Sequence, residues 1–228
     1  MGEIINKRIV FAGPSGIGKS TLAKKLSDET GFKYTSGSLS DLIPTTKDLS
    51  HRDMLDRNHG QLFQEDYQVL NLRNKLFSKY KEKGYISDRS FLDVAAYCIY
   101  KQASKLPTCE LTDFLALAKD LTIKNCSHVV LLDYPVDFIG NWKIQDNGKR
   151  ILNDFFQCNI SKLMRLVLEY WGVTLINNVR LIYPPKTEIG VIRGEKGKIL
   201  TRILVLGSDN LEERFNAICN FIKDEEDL

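Results

Sequence analysis

The sequence FAGPSGIGKS, residues 11–20, places three glycines, a lysine and two serines between two segments of different pattern. Residues 7–12, KRIVFA, form a short apolar run that suits a buried strand. The segment TLAKKLSDET, residues 21–30, suits a helix. Residues 13–20 fit the pattern G-x-x-x-x-G-K-S/T, and the strand before it and the helix after it make this a specific signal for a phosphate-binding loop, the P-loop.

The glycines of this loop have a physical role in binding a polyphosphate. Without side chains they let backbone N–H groups surround phosphate oxygens, and the positive end of the following helix dipole adds to the attraction. Lys19 is expected to act in catalysis at the β- and γ-phosphates, and the Ser20 hydroxyl to bind Mg²⁺. The predicted cofactors are therefore ATP and Mg²⁺. The residues predicted to contact the ATP phosphates are Gly13, Ser15, Gly16, Ile17, Gly18, Lys19, Ser20 and Thr21.

The composition limits the class of protein and its partners. With 228 residues, the chain is expected to form a single domain over 1–228. The net charge of +3, from 32 basic and 29 acidic residues, is too small to indicate a DNA-binding protein. The N-terminal MGEIINKRIV is charged, no long apolar run is present, and the five cysteines form no C-x-x-C pair. We therefore predict a cytoplasmic protein without a membrane partner.

Short apolar runs alternate with helical patterns along the rest of the chain. In residues 63–83 apolar side chains recur at helical spacing, and Gly84 follows as a stop signal. This alternation predicts an α/β fold, a three-layer α/β/α sandwich with a parallel sheet of about five strands and the P-loop at the carboxyl end of the first. Further strands are predicted at 84–88, 128–133, 173–176 and 202–207.

Two segments fit the alternation poorly. Residues 35–60 are polar and broken, as expected of substrate-facing loops and short helices. Residues 180–201 contain a Pro-Pro pair and three glycines, and we expect a hairpin or loop insertion there.

A polar triplet, Asp88-Arg89-Ser90, closes the predicted strand at 84–88. At the end of a strand in the same sheet, Asp88 is placed to hold Mg²⁺ through water and to act in catalysis. The planar guanidinium of Arg89 suits a second phosphate better than an ammonium group would. The alternative is that both residues only cap the next helix at its N-terminus.

These features together resemble the P-loop nucleoside and nucleotide kinases, especially the thymidylate kinases and the related bacteriophage deoxynucleoside monophosphate kinases. That family carries Asp-Arg-Tyr/Ser after the third strand, often with an Ala-Tyr a few residues later, as in Ala96-Tyr97. HVVLLDYPVDF, residues 128–138, resembles its fourth strand and the turn that follows. The resemblance covers residues 7–176 and continues into GSDNLEERFNAI, residues 207–218, whereas residues 180–201 match no part of the family pattern.

The resemblance also implies a lid near residues 138–156, which include QDNGKRILNDFF. In these kinases a lid arginine closes over the transferring phosphoryl group, and Arg150 would have this catalytic role here. Family members often carry several lid arginines, whereas Arg150 is accompanied only by lysines. Since related kinases are often dimers, the resemblance further implies a homodimer as one arrangement.

The acceptor site distinguishes a nucleoside kinase from a nucleoside monophosphate kinase. A neutral hydroxyl acceptor needs a carboxylate base, which in the nucleoside kinases of this family comes at the end of the second strand. Here the candidate strand FKYTS, residues 32–36, is followed by no acid before Asp41. An anionic monophosphate needs arginines instead, and family members carry one on the helix before the Asp-Arg-Ser strand, where this chain has Arg73. The predicted substrate-binding residues are Arg73, Arg89, Ser38 and Asp41, and Arg52 is interpreted as a surface arginine.

The leading hypothesis is transfer of the γ-phosphate of ATP to a nucleoside monophosphate, in particular a deoxynucleotide. A nucleoside or nicotinamide-riboside-type kinase is a second hypothesis, in which Asp88 or Asp41 would lie near a 5′-hydroxyl. A third is a kinase that acts on a modified base or an end of DNA, with the basic residues of 180–201 in contact with DNA. The fourth, from a different class, is an ATP-dependent switch or binding module without a small acceptor.

Overall fold

Strands and helices alternate along the chain. The structure is a computed structural model of the 228-residue chain, and it describes residues 6–43, 59–134, 153–177 and 186–223. The described strands are β1 Arg8–Ala12, β2 Lys33–Thr35, β3 Tyr85–Ser87, β4 His128–Leu132, β5 Ile176–Asn177, β6 Thr187–Arg193 and β7 Ile199–Leu206. The described helices are α1 Lys19–Thr30, α2 Leu39–Leu42, α3 His59–Tyr80, α4 Phe91–Gln102, α5 Thr108–Asn125, α6 Asp154–Tyr170 and α7 Leu211–Lys223. None of these helices has both the length and the apolar composition needed to cross a bilayer.

The strands form one sheet in the order β2-β3-β1-β4-β7-β6-β5. The first five strands in this order are parallel, as the sequence predicted. The predicted strand number is wrong, because antiparallel pairing adds β6 and β5 and gives seven strands. Of the strand predicted at 173–176, only Ile176 lies in a strand. The preceding residues instead pack over Gly190 of β6, where an added Cβ would lie 2.7 Å from Val173 Cγ1.

Alternate residues of the central strands face two separate hydrophobic layers. Val10 and Ala12 of β1 pack with residues of α3, α4, α5 and α6, whereas Ile9 and Phe11 pack with residues of α1 and α7. All four side chains are fully buried. Because both faces of the sheet are covered, the predicted three-layer α/β/α class is confirmed.

Glycines flank α1 and follow the end of α3. α1 begins after Gly18 and ends at Gly31, and both glycines have a left-handed backbone, with φ of 96° and 74°. α3 ends at Tyr80, before the predicted end, and a 3₁₀ turn at Lys81–Lys83 leads to Gly84. Since Gly84 has φ +73° and a Cβ there would lie 2.9 Å from a backbone oxygen, the chain can turn into β3 only with glycine at this position.

β6 and β7 form an antiparallel hairpin with a defined orientation. Thr187 pairs with Leu206, and Arg193 pairs with Ile199. Leu206 lies beside Leu132, the last residue of the parallel strand β4. The start of β6 is therefore at the carboxyl end of the parallel strands, and the turn of the hairpin is at the opposite end of the sheet.

Candidate functional site

The predicted P-loop connects the central strand β1 to α1 at the carboxyl end of the parallel strands. Lys19 is the first residue of α1, and only 5% of its surface is exposed. Its Nζ donates to Gly13 O and Pro14 O, both at 2.6 Å. The ammonium group therefore lies against the loop itself, where the sequence predicts the phosphates of ATP.

All three glycines of the loop have a positive φ, which is +82° at Gly16. Gly13 has φ +142°, and a Cβ there would lie 2.5 Å from Leu132 O of β4. Gly18 has φ +96°, a conformation that other residues rarely adopt. These constraints hold the loop close to the sheet and curl its backbone. The other predicted phosphate contacts lie in this loop and the first turn of α1, namely Ser15, Gly16, Ile17, Ser20 and Thr21.

Asp88 directly follows β3, the neighbour of β1, and its carboxylate accepts hydrogen bonds from three chain segments. Ser20 Oγ donates to Asp88 Oδ2 at 2.5 Å, and the Tyr34 hydroxyl donates to the same oxygen at 2.7 Å. Gly37 N donates to Oδ1 at 3.3 Å. The hydroxyl and the carboxylate that the sequence proposes for Mg²⁺ are thus in contact.

The surroundings of Asp88 favour its ionised form. Burial by itself raises the pKa of this carboxyl, but the hydrogen bonds from Ser20 and Tyr34, the charge of Arg89 and the Gly37 N–H outweigh burial, so the pKa is lowered. Burial and the Asp88 carboxylate raise the pKa of the Tyr34 phenol. At neutral pH the pair is therefore a carboxylate that accepts and a phenol that donates.

The oxygen ligands at this position fit Mg²⁺ in their chemistry. Mg²⁺ is commonly bound by one or two protein carboxylates together with water and substrate phosphates. Ser20 and Asp88 supply one hydroxyl and one carboxylate at the edge of the P-loop. In the described parts of the chain, no group of three or more His, Cys, Asp or Glu residues could hold a metal ion. A magnesium ion here would thus take most of its ligands from a nucleotide and from water.

Arg89 lies next to Asp88, at the carboxyl end of the same sheet. Of its side chain, 24% is exposed. Nη1 lies 3.9 Å from Asp93 Oδ1, which is beyond hydrogen-bond distance. The backbone N–H of Arg89 donates to Ser87 Oγ at 3.3 Å. A partly exposed guanidinium therefore lies beside the carboxylate proposed for Mg²⁺.

Arg73, the other arginine predicted to bind an acceptor phosphate, lies on α3 and is 3% exposed. Its Nη2 donates to Gly37 O at 2.8 Å, and its Nη1 donates to Ser90 O. Burial lowers the pKa of Arg73 to about 10, so the guanidinium remains charged at neutral pH. The structure thus places this arginine close to Asp88 and Arg89, with both Nη groups facing backbone carbonyls.

Ser38 and Asp41, also predicted to bind substrate, lie where the chain leaves β2 and enters α2. Asp41 N donates to Ser38 Oγ at 3.3 Å, and Ser36 Oγ donates to the Asp41 carboxylate. Asp41 is exposed and Ser38 is half-buried. Both polar groups are therefore engaged in local bonds that begin a short helix.

Some of the predicted residues lie outside the described residues. These are Arg150, Arg52 and the part of the lid segment 138–156 that precedes Asn153. Asn153 caps α6, because its Oδ1 accepts from Phe155 N at 2.9 Å.

Arg214 of α7 holds the P-loop in place, and the sequence analysis missed it. It is 1% exposed, its Nη1 donates to Ile17 O at 2.8 Å, and its Nε donates to Ser208 O at 2.5 Å. Burial lowers the pKa of Arg214 to about 10. This guanidinium connects the P-loop to the segment that joins β7 to α7. Its signal in the sequence is one arginine directly before Phe215 on the buried face of an amphipathic helix.

A second missed network connects β4, α6 and β6. Arg165 Nε and Nη2 donate to Asp133 Oδ2 at 2.9 and 2.6 Å. Arg165 also forms an ion pair with Glu188 of β6. The other carboxylate oxygen of Asp133 accepts from Tyr134 N at 3.0 Å and from Ser161 Oγ. Asp133 directly follows the Leu132 carbonyl that lies against the P-loop, so the network fixes the strand end on which this loop rests.

A known domain family and several solved structures are similar to this chain in sequence or fold. The AAA domain family matches residues 8–177, from β1 to β5. No curated protein matches the chain. A deoxyadenosine kinase from M. mycoides, solved with the products dCMP and dCDP, has a TM-score of 0.58 at 13% identity, covering 94% of this chain and 98% of that chain.

Two further solved structures share the fold. The M. mycoides deoxyadenosine kinase with bound dATP has a TM-score of 0.56 at 11% identity, covering 95% of this chain and 100% of that chain. A thymidylate kinase from Candida albicans has a TM-score of 0.51 at 14% identity, covering 96% of this chain and 92% of that chain. The chain therefore belongs to the AAA domain family and has the P-loop fold of the nucleoside and nucleotide kinases.

Proposed function

We propose that the protein transfers the γ-phosphate of ATP to a nucleoside monophosphate, in particular a deoxynucleotide, and releases ADP and a nucleoside diphosphate. The observation that carries this proposal is the pair Asp88 and Arg89 beside the P-loop. Asp88 is an ionised carboxylate in contact with Ser20, and Arg89 is a partly exposed cation next to it. The carboxylate of Asp88 suits a metal ion, and the guanidinium of Arg89 suits a second phosphate.

The donor side of the site follows from the P-loop. The backbone N–H groups of residues 13–20 would bind the β- and γ-phosphates, and Lys19 would exchange its contacts with loop carbonyls for phosphate oxygens. Bound at Ser20 and Asp88, Mg²⁺ would neutralise charge that develops on the phosphates. Arg150, the predicted lid arginine, would supply further positive charge in the transition state.

The fold by itself does not decide the acceptor, because both a deoxyadenosine kinase and a thymidylate kinase share it. The side chains favour a monophosphate. Tyr34 and Thr35 occupy the end of β2, where a nucleoside kinase of the family would carry the carboxylate that acts as its catalytic base. Asp88 accepts three hydrogen bonds and has a lowered pKa, which makes it a weak base for a neutral hydroxyl.

An anionic acceptor also makes the reaction simple to balance. An oxygen of the acceptor phosphate forms a bond to the γ-phosphorus, the bond between this phosphorus and the β–γ bridging oxygen breaks, and ADP leaves with the electron pair. No proton has to be removed from the attacking oxygen, since a monophosphate is already ionised at neutral pH. Arg89 would orient the acceptor phosphate, while Ser38 and Asp41 are proposed to contact its sugar or base.

The DNA hypothesis receives no support from the position of the basic hairpin. The turn between Arg193 and Ile199 lies at the end of the sheet opposite to the P-loop. A DNA end bound there would be separated from Lys19 by the length of the sheet. We therefore propose a small nucleotide as the acceptor.

The proposed function is tested by ATP turnover with Mg²⁺ in three parallel reactions, which contain no acceptor, the nucleosides, or the nucleoside monophosphates. We expect ADP to form rapidly only with a monophosphate. Turnover with nucleosides alone would favour the nucleoside kinase hypothesis and would make Asp88 and Asp41 the candidate bases. Equal turnover in all three reactions would instead indicate an ATPase or switch and would contradict the proposal.

A further inference from the structure

Arg73 spans the gap between two chain segments that lie beside the proposed acceptor position. One segment is 36–38, which follows β2, and the other is 88–90, which follows β3. Nη2 of Arg73 donates to Gly37 O in the first segment, and Nη1 donates to Ser90 O in the second. A single buried side chain thus connects both segments to α3.

Gly37 is held on both sides of its Cα. Its carbonyl accepts from Arg73 at 2.8 Å, and its N–H donates to Asp88 Oδ1 at 3.3 Å. A Cβ on Gly37 would lie 2.9 Å from Arg89 Cβ and 3.3 Å from Ser87 Oγ. The two segments are therefore packed so closely that a side chain at position 37 would force them apart.

Ser90, the other contact of Arg73, belongs to a rigid helix start. Its Oγ accepts from Asp93 N at 3.2 Å, and its N–H donates to the Asp93 carboxylate at 2.7 Å, which is a capping box. Arg73 therefore anchors the segment with Gly37 to a fixed point, the start of α4.

We propose that Arg73 is a positioning residue, which holds residues 36–38 against residues 88–90 through two backbone carbonyls and so places Asp88 and Arg89 for the acceptor. On this proposal Arg73 does not contact the acceptor phosphate. With 3% of its surface exposed, its guanidinium is buried behind both segments. The inference rests on the proposed function, in which Arg89 binds the acceptor phosphate.

Amide hydrogen exchange of the ligand-free protein tests whether Arg73 holds residues 36–38 in place, and it requires no enzymatic activity. In Arg73→Met, exchange at Gly37 N–H should become about tenfold faster, because local opening then breaks the Gly37–Asp88 hydrogen bond but no longer the one from Arg73 to Gly37 O. The matched control is Arg89→Met, which removes a neighbouring cation that makes no bond to Gly37, and exchange should stay at the wild-type rate. Wild-type exchange in Arg73→Met would overturn the proposal, even if the protein proves to be a kinase.

Steady-state kinetics separate positioning from direct binding. Misplacing the acceptor groups should lower kcat/KM for the acceptor about 100-fold in Arg73→Met, with the Kd for ATP changed by no more than about twofold. Arg73→Lys should not rescue this loss, since one ammonium group cannot bridge the two carbonyls. Recovery of acceptor KM in Arg73→Lys would instead show that Arg73 supplies only charge to the acceptor, contrary to the proposal.

Gly37→Ala provides a second variant in which the buried charge is retained. Its methyl group should push the segment away from Arg89 and reproduce the kinetics of Arg73→Met. If both residues act by holding the same two segments together, kcat/KM of the double variant should be little lower than that of either single variant. Wild-type kcat/KM in Gly37→Ala, or fully additive losses in the double variant, would overturn the proposal, and the first of these applies even if Arg73→Met fails to fold.

Discussion

Among single residues, Lys19 is the one on which the proposed reaction depends most strongly, because of its ammonium group. It is buried, and it donates hydrogen bonds to two carbonyls of the glycine loop, Gly13 O and Pro14 O. In the proposed reaction this ammonium group would exchange these carbonyls for phosphate oxygens.

Lys19→Ala should therefore remove nearly all phosphoryl transfer. We expect kcat to fall at least about 1,000-fold, because positive charge at the transferring phosphate supplies most of the catalysis in this chemistry. Circular dichroism and thermal melting should show a folded protein. The matched control is Lys33→Ala, at the exposed start of β2, which should retain wild-type turnover. Substantial turnover by folded Lys19→Ala would show that the P-loop lysine does not act in phosphoryl transfer and would contradict this assignment.

Arg89 should determine the apparent affinity for the acceptor. Arg89→Met is expected to raise the KM for the monophosphate about tenfold or more, while the Kd for ATP stays the same, because a charge-assisted hydrogen bond to phosphate is lost. Arg89→Lys should recover part of the affinity. Arg193→Met, at the distant end of the hairpin, serves as the control for loss of one arginine. An unchanged acceptor KM in Arg89→Met would place the acceptor phosphate elsewhere.

Single residues differ in how far the sequence predicts them. The spacing of the P-loop is local, so Gly13, Gly18 and Lys19 could be placed from one stretch of ten residues. Tyr34 could not be predicted, because its partner Asp88 is distant in the chain and the two meet only when β2 pairs with β3. The sequence indicated the location of Arg73 but not its two carbonyl partners.

At the scale of elements, the bond network of Arg165 attaches the added strand β6 to the parallel part of the sheet. Arg165 lies on α6, and its guanidinium contacts Asp133 after β4 and Glu188 in β6. Asp133 is buried, so removing the arginine leaves its carboxylate without the two hydrogen bonds and the ion pair that Arg165 supplies.

Arg165→Met should consequently lower the free energy of unfolding by about 2–3 kcal/mol, the usual effect of losing hydrogen bonds to a charged group that remains buried. Urea unfolding followed by fluorescence would measure this difference. Lys162→Met, an exposed position on the same helix, is the control and should change stability by less than about 0.5 kcal/mol. If Arg165→Met is as stable as the control, the network does not contribute to the attachment of β6.

The difference between the five predicted strands and the seven observed ones shows where secondary-structure prediction from this sequence fails. Runs such as residues 129–132, VVLL, are apolar throughout because both sheet faces are covered, and they could be recognised as parallel strands. β6, Thr187–Arg193, alternates buried and half-exposed residues and contains Gly190, so it gives no comparable signal. Its place in the sheet depends on the hairpin with β7, which a search for continuous apolar runs does not detect.

At the scale of the whole molecule, His128 makes stability depend on pH. It opens β4, its Nδ1 lies 2.9 Å from Ser127 Oγ, and its ring packs edge-on against Phe221 of α7. Burial lowers its pKa to about 3. The charged groups that face it are cationic and lower the pKa further; these are Lys7, Arg202 and Arg8.

The unfolded chain binds a proton at His128 below about pH 6.5, whereas the folded protein does so only near pH 3. Stability from this residue is therefore complete above pH 6.5 and is lost as the pH falls, by about 1.4 kcal/mol for each pH unit. Between pH 7 and pH 5 the wild type should lose about 2 kcal/mol more than His128→Leu in urea unfolding. Equal losses in the two proteins would mean that His128 is protonated in the fold.

The measurement that decides the proposed reaction is the fate of the γ-phosphate of ATP. ATP labelled at that position would be incubated with the wild type, Mg²⁺ and each of the four deoxynucleoside monophosphates, their ribose counterparts and the parent nucleosides, and the products would be separated by chromatography. We predict that the label appears in the β-phosphate of a nucleoside diphosphate, and that it remains in ATP with Lys19→Ala. Label released as inorganic phosphate in every reaction, or transferred only to a nucleoside, would contradict a nucleoside monophosphate kinase.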